Sequence, residues 1–215
     1  MNPQVTTIAN RLSLRPPQRE ALAILARISE LVPLNKKQDV GQALQIIQSE
    51  FSTVTDFERN FPSLCFALAT GVGKTRLMGA FISYLHRVHN IRHFFVLAPN
   101  LTIYNKLITD FTPNTPKYVF QGIAEFAHNP PEIITGENYE SGRGVRDEHY
   151  LQQRMFDIGE VHVNIFNISK INSEVRGGNV PRIKRLSEYI GESYFDYLAG
   201  LDDLVLLMDE SHRYR

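Results

Sequence analysis

The stretch Ala69-Thr70-Gly71-Val72-Gly73-Lys74-Thr75 decides the fold class, because its composition is typical of a loop that binds nucleotide phosphates. Gly71 and Gly73 allow backbone conformations that bring N–H groups onto phosphate oxygens. Lys74 would supply a positive charge for the β- and γ-phosphates, and the Thr75 hydroxyl would be a ligand of Mg²⁺. We therefore predict a nucleotide-binding loop made of Thr70, Gly71, Val72, Gly73, Lys74 and Thr75.

The sequence on both sides of this loop predicts a strand before it and a helix after it. Residues 64–68 are an apolar run, and residues 77–85 carry apolar side chains at helical spacing. The usual pattern has a glycine five residues before Gly73, where this chain has Leu68. The strand–loop–helix context favours a phosphate loop over an ordinary glycine turn, because the N-terminus of the helix would add its partial positive charge.

A second candidate site is the turn Asp209-Glu210-Ser211-His212, which follows the apolar run at residues 204–208. The carboxyl ends of parallel strands are where ligands bind in open α/β sheets. Asp209 would hold Mg²⁺ directly or through a water, and Glu210 would orient and deprotonate an attacking water. Ser211 and His212 would be relay residues. On its own the turn could equally be a solvated strand end, but the phosphate loop upstream favours the functional interpretation.

The rest of the chain alternates between short apolar runs and amphipathic stretches, which predicts an α/β fold with a mainly parallel sheet flanked by helices. An N-terminal helical segment is expected at residues 1–60, with one helix starting at Pro16 and another capped by Asp39. Residues 129–147 are expected to be a long loop, and residues 183–190 a helix. The predicted strands are residues 64–68, 94–98, 118–120, 161–166 and 204–208.

Composition restricts the class of protein but does not identify a partner. The 215 residues carry 23 Lys and Arg against 23 Asp and Glu, so the net charge gives no support for nucleic-acid binding outside a local patch. The single cysteine, Cys65, forms no intrachain disulfide, and we expect it to be a small buried residue in a strand. With neither a signal-peptide pattern nor an apolar run long enough to span a bilayer, a cytoplasmic location is expected.

Taken together, these motifs resemble the superfamily-2 helicases and translocases, and most closely the restriction (Res) subunit of type III restriction–modification enzymes. The resemblance rests on residues 14–21, on the phosphate loop, on residues 96–101 and 164–170, and on the turn at 209–212. It implies a first RecA-like P-loop NTPase lobe at residues 61–215 that forms one structural unit with the helical segment. By this resemblance Gln18 would hydrogen-bond the adenine of ATP. The same resemblance implies nucleic-acid contacts by Pro99, Asn100 and Asn167.

The resemblance also implies cofactors and partners. ATP and Mg²⁺ would be the cofactors, and hydrolysis would drive translocation or a switch on double-stranded DNA before cleavage. A modification (methyltransferase) subunit would be the partner. Gln18 lies close to the N-terminus, which favours type III over type I enzymes, whose nuclease domain precedes the motor. By this resemblance a second RecA-like lobe and a nuclease domain would lie outside these 215 residues, so we expect this chain alone to bind nucleotide weakly and to hydrolyse it poorly.

Several alternatives stay open from the sequence. They are another superfamily-2 DNA or RNA helicase, a type I restriction motor, a P-loop kinase or GTPase, and a regulatory nucleotide-binding module without turnover. The basic residues Arg182, Lys184 and Arg185 are DNA-contact candidates, although a solvated helix face would have the same composition. His86, His89 and His93 are expected to be surface helix residues rather than metal ligands.

Overall fold

The computed structural model describes residues 2–33, 38–141, 161–168, 171, 181–187 and 190–211. The chain divides into two compact units, Met1–Tyr84 and Leu85–Arg215. The proposed boundary near residue 60 stays a prediction. Within the described residues, no helix is both long enough and apolar enough to cross a membrane.

The N-terminal unit is helical for most of its length. It contains α1 (Pro3–Arg11), α2 (Pro16–Leu31), α3 (Val40–Glu50) and the start of α4 (Lys74–His89). α2 begins at Pro16 as predicted, and the Asp39 carboxylate caps α3 as predicted by accepting a hydrogen bond of 2.8 Å from the Gln42 N–H. α1 lies within the helical segment expected at residues 1–60, and Asn2 followed by a proline is a helix-start signal.

The interior of this unit forms where α2 packs against α3 and the following loop. Apolar side chains that recur at helical spacing on the two helices face each other there. Phe57, from the loop after α3, completes this cluster. The buried members of the cluster are Ile28, Val32, Ala43, Ile47 and Phe57.

The strand expected before the phosphate loop is not formed, so that prediction is wrong. Residues 62–69 have no regular secondary structure, and Cys65 is exposed rather than buried in a strand. A strand requires a neighbour whose N–H and C=O groups complete its hydrogen bonds. None of the described strands pairs with residues 64–68. The apolar composition of the run is therefore not enough to make it a strand.

The C-terminal unit is built on a four-stranded sheet with the order β2-β3-β1-β4, in which every neighbouring pair is parallel. This arrangement confirms the predicted parallel α/β architecture. The strands at residues 94–98, 161–166 and 204–208 were predicted. The elements are β1 (His93–Ala98), α5 (Leu101–Phe111), α6 (Ala124–His128), β2 (Glu132–Thr135), β3 (His162–Asn167), α7 (Tyr194–Gly200) and β4 (Leu204–Met208), with 3₁₀ helices at Tyr139–Ser141 and Arg182–Lys184.

Three local predictions in this unit are wrong. Residues 118–120 are consecutive turns, since the Tyr118 N–H bonds Thr115 O and the Gln121 N–H bonds Tyr118 O, each at 3.2 Å. Their apolar side chains are buried in an aromatic cluster, so the run indicated burial and not a strand. β2 lies inside the stretch predicted to be a loop. The helix predicted at residues 183–190 is replaced in the described part by the short 3₁₀ helix Arg182–Lys184 and by an antiparallel bridge between Leu186 and Ser193.

A polar pair fixes α7 on one face of this sheet. Asn164, in the middle of β3, donates to the Phe94 carbonyl at 3.2 Å and accepts a hydrogen bond from the Tyr194 hydroxyl. Both side chains are buried among Phe95, Phe166 and other apolar residues. Burial raises the pKa of Tyr194 far above its usual value, with a smaller contribution from neighbouring Tyr197. The neutral hydroxyl is therefore a permanent donor to Asn164.

Replacing Tyr194 by phenylalanine should destabilise the protein, because the buried Asn164 oxygen loses its donor. We expect a loss of about 1–3 kcal/mol in the free energy of unfolding. Tyr118→Phe is the matched control, since the Tyr118 hydroxyl reaches the Phe126 carbonyl only at 3.5 Å. Its cost should be below about 1 kcal/mol. Urea denaturation of both variants measures the difference, and equal costs would contradict the assigned role of Tyr194.

Candidate functional site

The predicted phosphate loop at residues 70–75 has the backbone conformation that its glycines favour. Gly71 and Gly73 have φ values of 80° and 95°, in the left-handed region that side chains disfavour. α4 begins at Lys74, directly after the second glycine. The N–H groups and the positive dipole of a helix N-terminus therefore lie next to Lys74 and Thr75, which are half-buried.

Gln18 connects the start of α2 to the phosphate loop. Its side chain is only 2% exposed. Its Nε2 donates to the Gly73 carbonyl at 2.8 Å, and its Oε1 accepts from the Arg15 N–H at 2.7 Å. A Cβ at Gly73 would lie 2.8 Å from Gln18 Nε2, closer than side-chain atoms can approach. A primary amide has one further donor and one further lone pair beyond these two bonds.

Two arginines that the sequence analysis did not single out join the same region. Arg15 donates from Nη1 to the Gly71 carbonyl at 3.2 Å, and Arg76 donates from Nη1 to the Leu12 carbonyl at 3.1 Å. The loop carbonyls at Gly71 and Gly73 are thus both held by side chains from the segment that precedes or begins α2. Arg15 precedes Gln18 by three residues and Arg76 follows Lys74 by two, but no spacing rule indicated the hydrogen bonds that these two arginines make.

The C-terminal unit brings the other candidate residues to one edge of its sheet. Because β3, β1 and β4 are adjacent and parallel, their carboxyl ends align. Asn167 ends β3, Pro99 and Asn100 follow β1, and Asp209 follows β4. Asp209 is mostly buried, and its N–H donates to the Leu97 carbonyl at 3.3 Å.

Glu210 has an unusual backbone for a residue with a side chain. Its φ is 52°, in the left-handed region, directly after Asp209. Non-glycine residues occupy this region rarely, and such strain is found preferentially at functional sites. Ser211 is exposed, and His212 lies outside the described residues.

The side chains expected to contact DNA differ in their exposure to solvent and in the bonds they already make within the protein. Asn100 caps α5 by accepting a hydrogen bond of 2.9 Å from the Ile103 N–H, and Asn167 is buried. Lys184 is exposed and lies with Nζ 4.7 Å from the centroid of the Phe195 ring. Arg185 is exposed as well, whereas the side chain of Arg182 lies outside the described part. The exposed basic candidates are therefore Lys184 and Arg185.

One histidine expected on the surface of a helix is in the interior instead. His93 is the first residue of β1 and is 1% exposed, so that expectation is wrong. Three His, Cys, Asp or Glu side chains placed to hold a metal ion do not occur together within the described ranges.

Substituting alanine for Gly73 should disturb the loop more than the same change at Gly71. Both alanines would occupy a left-handed φ, but only the Cβ at residue 73 collides with Gln18, since nothing lies within 4 Å of a Cβ at residue 71. We expect Gly71→Ala to cost about 1 kcal/mol in the free energy of unfolding and Gly73→Ala about 1–2 kcal/mol more. Urea denaturation tests the order, which a larger cost at residue 71 would contradict.

The family to which the chain belongs follows from a comparison with known protein families. Residues 11–215 match the family described as type III restriction enzyme, res subunit. No curated protein and no solved structure matches this chain. The matched region includes Gln18, the phosphate loop and the Asp209 turn, and the parallel sheet has the architecture of a RecA-like P-loop NTPase lobe. The chain belongs to the res-subunit family of type III restriction enzymes, as a DEAD/DEAH-like superfamily-2 helicase N-terminal lobe.

Proposed function

We propose that this chain is the ATP-binding lobe of a DNA-dependent ATPase of the type III restriction kind. ATP hydrolysis would drive translocation or a conformational switch on double-stranded DNA before cleavage by a nuclease domain. A modification subunit would supply recognition of the DNA site. The observation that carries the nucleotide part of the proposal is the bond from Gln18 to the Gly73 carbonyl, which joins the predicted adenine-binding residue to the predicted phosphate loop.

The phosphate chemistry is assigned to Lys74 and Thr75 at the start of α4. The Lys74 ammonium would neutralise charge on the β- and γ-phosphates, where negative charge must be stabilised in the transition state. The Thr75 hydroxyl and the Asp209 carboxylate are oxygen donors of the kind Mg²⁺ prefers. Mg²⁺, when bound there, would supply positive charge that offsets the negative charge of the phosphates. The left-handed φ values of Gly71 and Gly73 support this assignment.

Glu210 is assigned the role of general base. Its carboxylate would accept a hydrogen bond from a water, orient it toward the γ-phosphate, and take its proton as the oxygen attacks. The support for this role is the position of Glu210, which directly follows Asp209 at the carboxyl end of β4. His212 would relay the nucleotide state to the rest of the enzyme.

Adenine specificity is assigned to Gln18. The amide keeps one N–H and one lone pair beyond its bonds to Gly73 and Arg15, and adenine offers a matching acceptor and donor at N7 and N6. Guanine presents an acceptor, O6, where adenine has its amino group, so the same amide would pair less well with GTP. Because Gln18 also holds the loop, base recognition and phosphate binding would be coupled.

DNA would lie along the edge of the sheet where Pro99 and Asn100 follow β1. The exposed Lys184 and Arg185 would bind backbone phosphates, which gives affinity without sequence information. Asn167 and Arg182 belong to the same proposed surface, although the Asn167 side chain is buried and so is the least available for a DNA contact.

Replacing either exposed basic residue, Lys184 or Arg185, by alanine should make DNA binding less dependent on salt, because fewer counterions are released from the DNA.

Nucleotide binding should depend on Lys74 and discriminate between bases through Gln18. Lys74→Ala should weaken ATP binding by about tenfold or more, because the phosphates no longer pair with an ammonium group. Gln18→Ala should reduce the preference for ATP over GTP. Arg87→Ala serves as a control, since Arg87 forms a half-exposed ion pair with Glu125 on α6. Calorimetric titration of both nucleotides is the measurement, and equal binding of GTP and ATP by the unaltered chain would instead favour a GTPase or kinase-like site.

The two carboxylates should be separable by their dependence on Mg²⁺. Asp209→Asn should raise the Mg²⁺ concentration needed for half-maximal ATP binding by about tenfold, because the variant has no charged metal ligand at this position. Glu210→Gln should leave that concentration within about twofold and abolish any turnover, because the amide cannot accept a proton. The exposed Glu192 provides a control, Glu192→Gln, which should change neither. Retention of full turnover by Glu210→Gln would support a different general base.

A further inference from the structure

A row of four titratable side chains crosses the amino ends of the strands, at the edge of the sheet remote from Asp209. Glu132 begins β2, His162 begins β3 and His93 begins β1, and these three residues are in register across the sheet. Asp203 directly precedes Leu204, which pairs with His93. The row therefore runs carboxylate, imidazole, imidazole, carboxylate over all four strands.

The contacts in this row are strongest at its β4 end. His93 Nδ1 lies 2.7 Å from Asp203 Oδ1, and the Arg92 N–H donates to Asp203 Oδ2 at 3.0 Å. The His93 and His162 rings meet edge to face with centroids 5.2 Å apart, and His162 Nε2 lies 3.7 Å from Glu132 Oε2. The two Asp203 oxygens thus bind His93, the first residue of β1, and Arg92, the residue directly before it.

Something other than hydrophobic patterning must set the register of β4. Its sequence, Leu204-Val205-Leu206-Leu207-Met208, is apolar at every position, so a slip of two residues would return similar side chains to the same faces. Such a slip would move Asp209 by about 6.6 Å along the strand. β4 also pairs on one side only within the described sheet, with β1. Asp203 is the polar residue at its start that distinguishes one register from another.

Burying the imidazole of His93 costs free energy, which its hydrogen bond to Asp203 would offset. Its ring is 1% exposed, and Nε2 has no hydrogen-bond partner among the described residues. A buried polar nitrogen without a partner is unfavourable, and an apolar side chain would avoid that cost. The imidazole contributes an Nδ1–H group, which donates a hydrogen bond to the Asp203 carboxylate.

We infer that Asp203 and His93 are positioning residues that set the register of β4 and thereby the position of the Asp209–Glu210 turn. Asp203 fixes the strand at its start, and the bond from the Asp209 N–H to the Leu97 carbonyl holds its end. Neither residue touches substrate. The consequence for catalysis rests on the proposed function, whereas the consequence for the strand does not.

Hydrogen exchange of the β4 segment tests the positioning role without any assay of activity. In Asp203→Asn the side chain has one acceptor oxygen for two donors, the Arg92 N–H and the His93 Nδ1–H. We therefore expect amide hydrogen exchange over residues 204–209 to accelerate about tenfold or more. Asp202→Asn is the matched control, because Asp202 lines the same open cleft as Asp203 and the change in charge is identical. It should leave the exchange unchanged. Equal exchange in the two variants would overturn the inference.

A second pair of variants separates register from simple loss of packing. His93→Asn keeps a side-chain N–H at the place of Nδ1, whereas His93→Leu keeps the bulk and removes the donor. The inference requires slow exchange at residues 204–209 in the asparagine variant and fast exchange in the leucine variant. If the leucine variant is protected as well as the asparagine variant, the imidazole acts by packing alone and the inference fails.

The link to the candidate site has a separate measurement. In Asp203→Asn the Mg²⁺ concentration for half-maximal ATP binding should rise about three- to tenfold, while binding of ATP without Mg²⁺ stays within about twofold, because only the carboxylate turn has moved. A uniform loss with and without Mg²⁺ would count against positioning. If the unaltered chain shows no Mg²⁺-dependent ATP binding, the proposed function fails, and the exchange data still decide the role of Asp203.

Discussion

The pairing of β1 with a parallel neighbour on each side is the interaction on which the C-terminal unit depends. β1 lies between β3 and β4 and is buried along most of its length, so its backbone groups depend on those two strands and on Asp209, which directly follows β4, for their hydrogen bonds. Parallel pairing also aligns the carboxyl ends of the three strands. The segments that begin at Pro99, Asn167 and Asp209, far apart in sequence, therefore emerge at one edge, which is where ligands bind in such sheets.

In the N-terminal unit, one buried amide has the corresponding organising role. Gln18 closes the first turn of α2 through the Arg15 N–H and holds the phosphate loop through the Gly73 carbonyl. Gly73 must be glycine for two reasons, since its φ is left-handed and a Cβ would strike the Gln18 amide. In the proposed function, a base bound at Gln18 and phosphates bound at the loop would both act on the hydrogen bond between Gln18 and Gly73.

Features that depend on residues close in sequence were predicted correctly, whereas predictions of strands that need a distant pairing partner were wrong in two places. The Asp39 cap, the start of α2 and the glycine loop are determined within a few residues, and all three are present. The apolar composition of residues 64–68 and 118–120 is plain in the sequence, but strand formation also needs a neighbour at the right place. β2 was missed because only four residues pair. The bonds of Arg15 and Asp203 join residues distant in sequence, so no spacing rule could indicate them.

The polar residues at the two ends of β4 would together fix the position of the turn at Asp209 and Glu210. A Mg²⁺ ion at the proposed site would need its oxygen donors at fixed positions, whereas a slip of the strand by one residue would displace them by about 3.3 Å. β4 is five apolar residues long, and its side chains alone cannot exclude a slipped register. Asp203 supplies a register mark at one end, and the left-handed Glu210 ends the strand abruptly at the other. If the turn at Asp209 and Glu210 binds a metal ion as proposed, it would need both constraints, because either alone would leave the carboxylates free to move along the strand axis or around it.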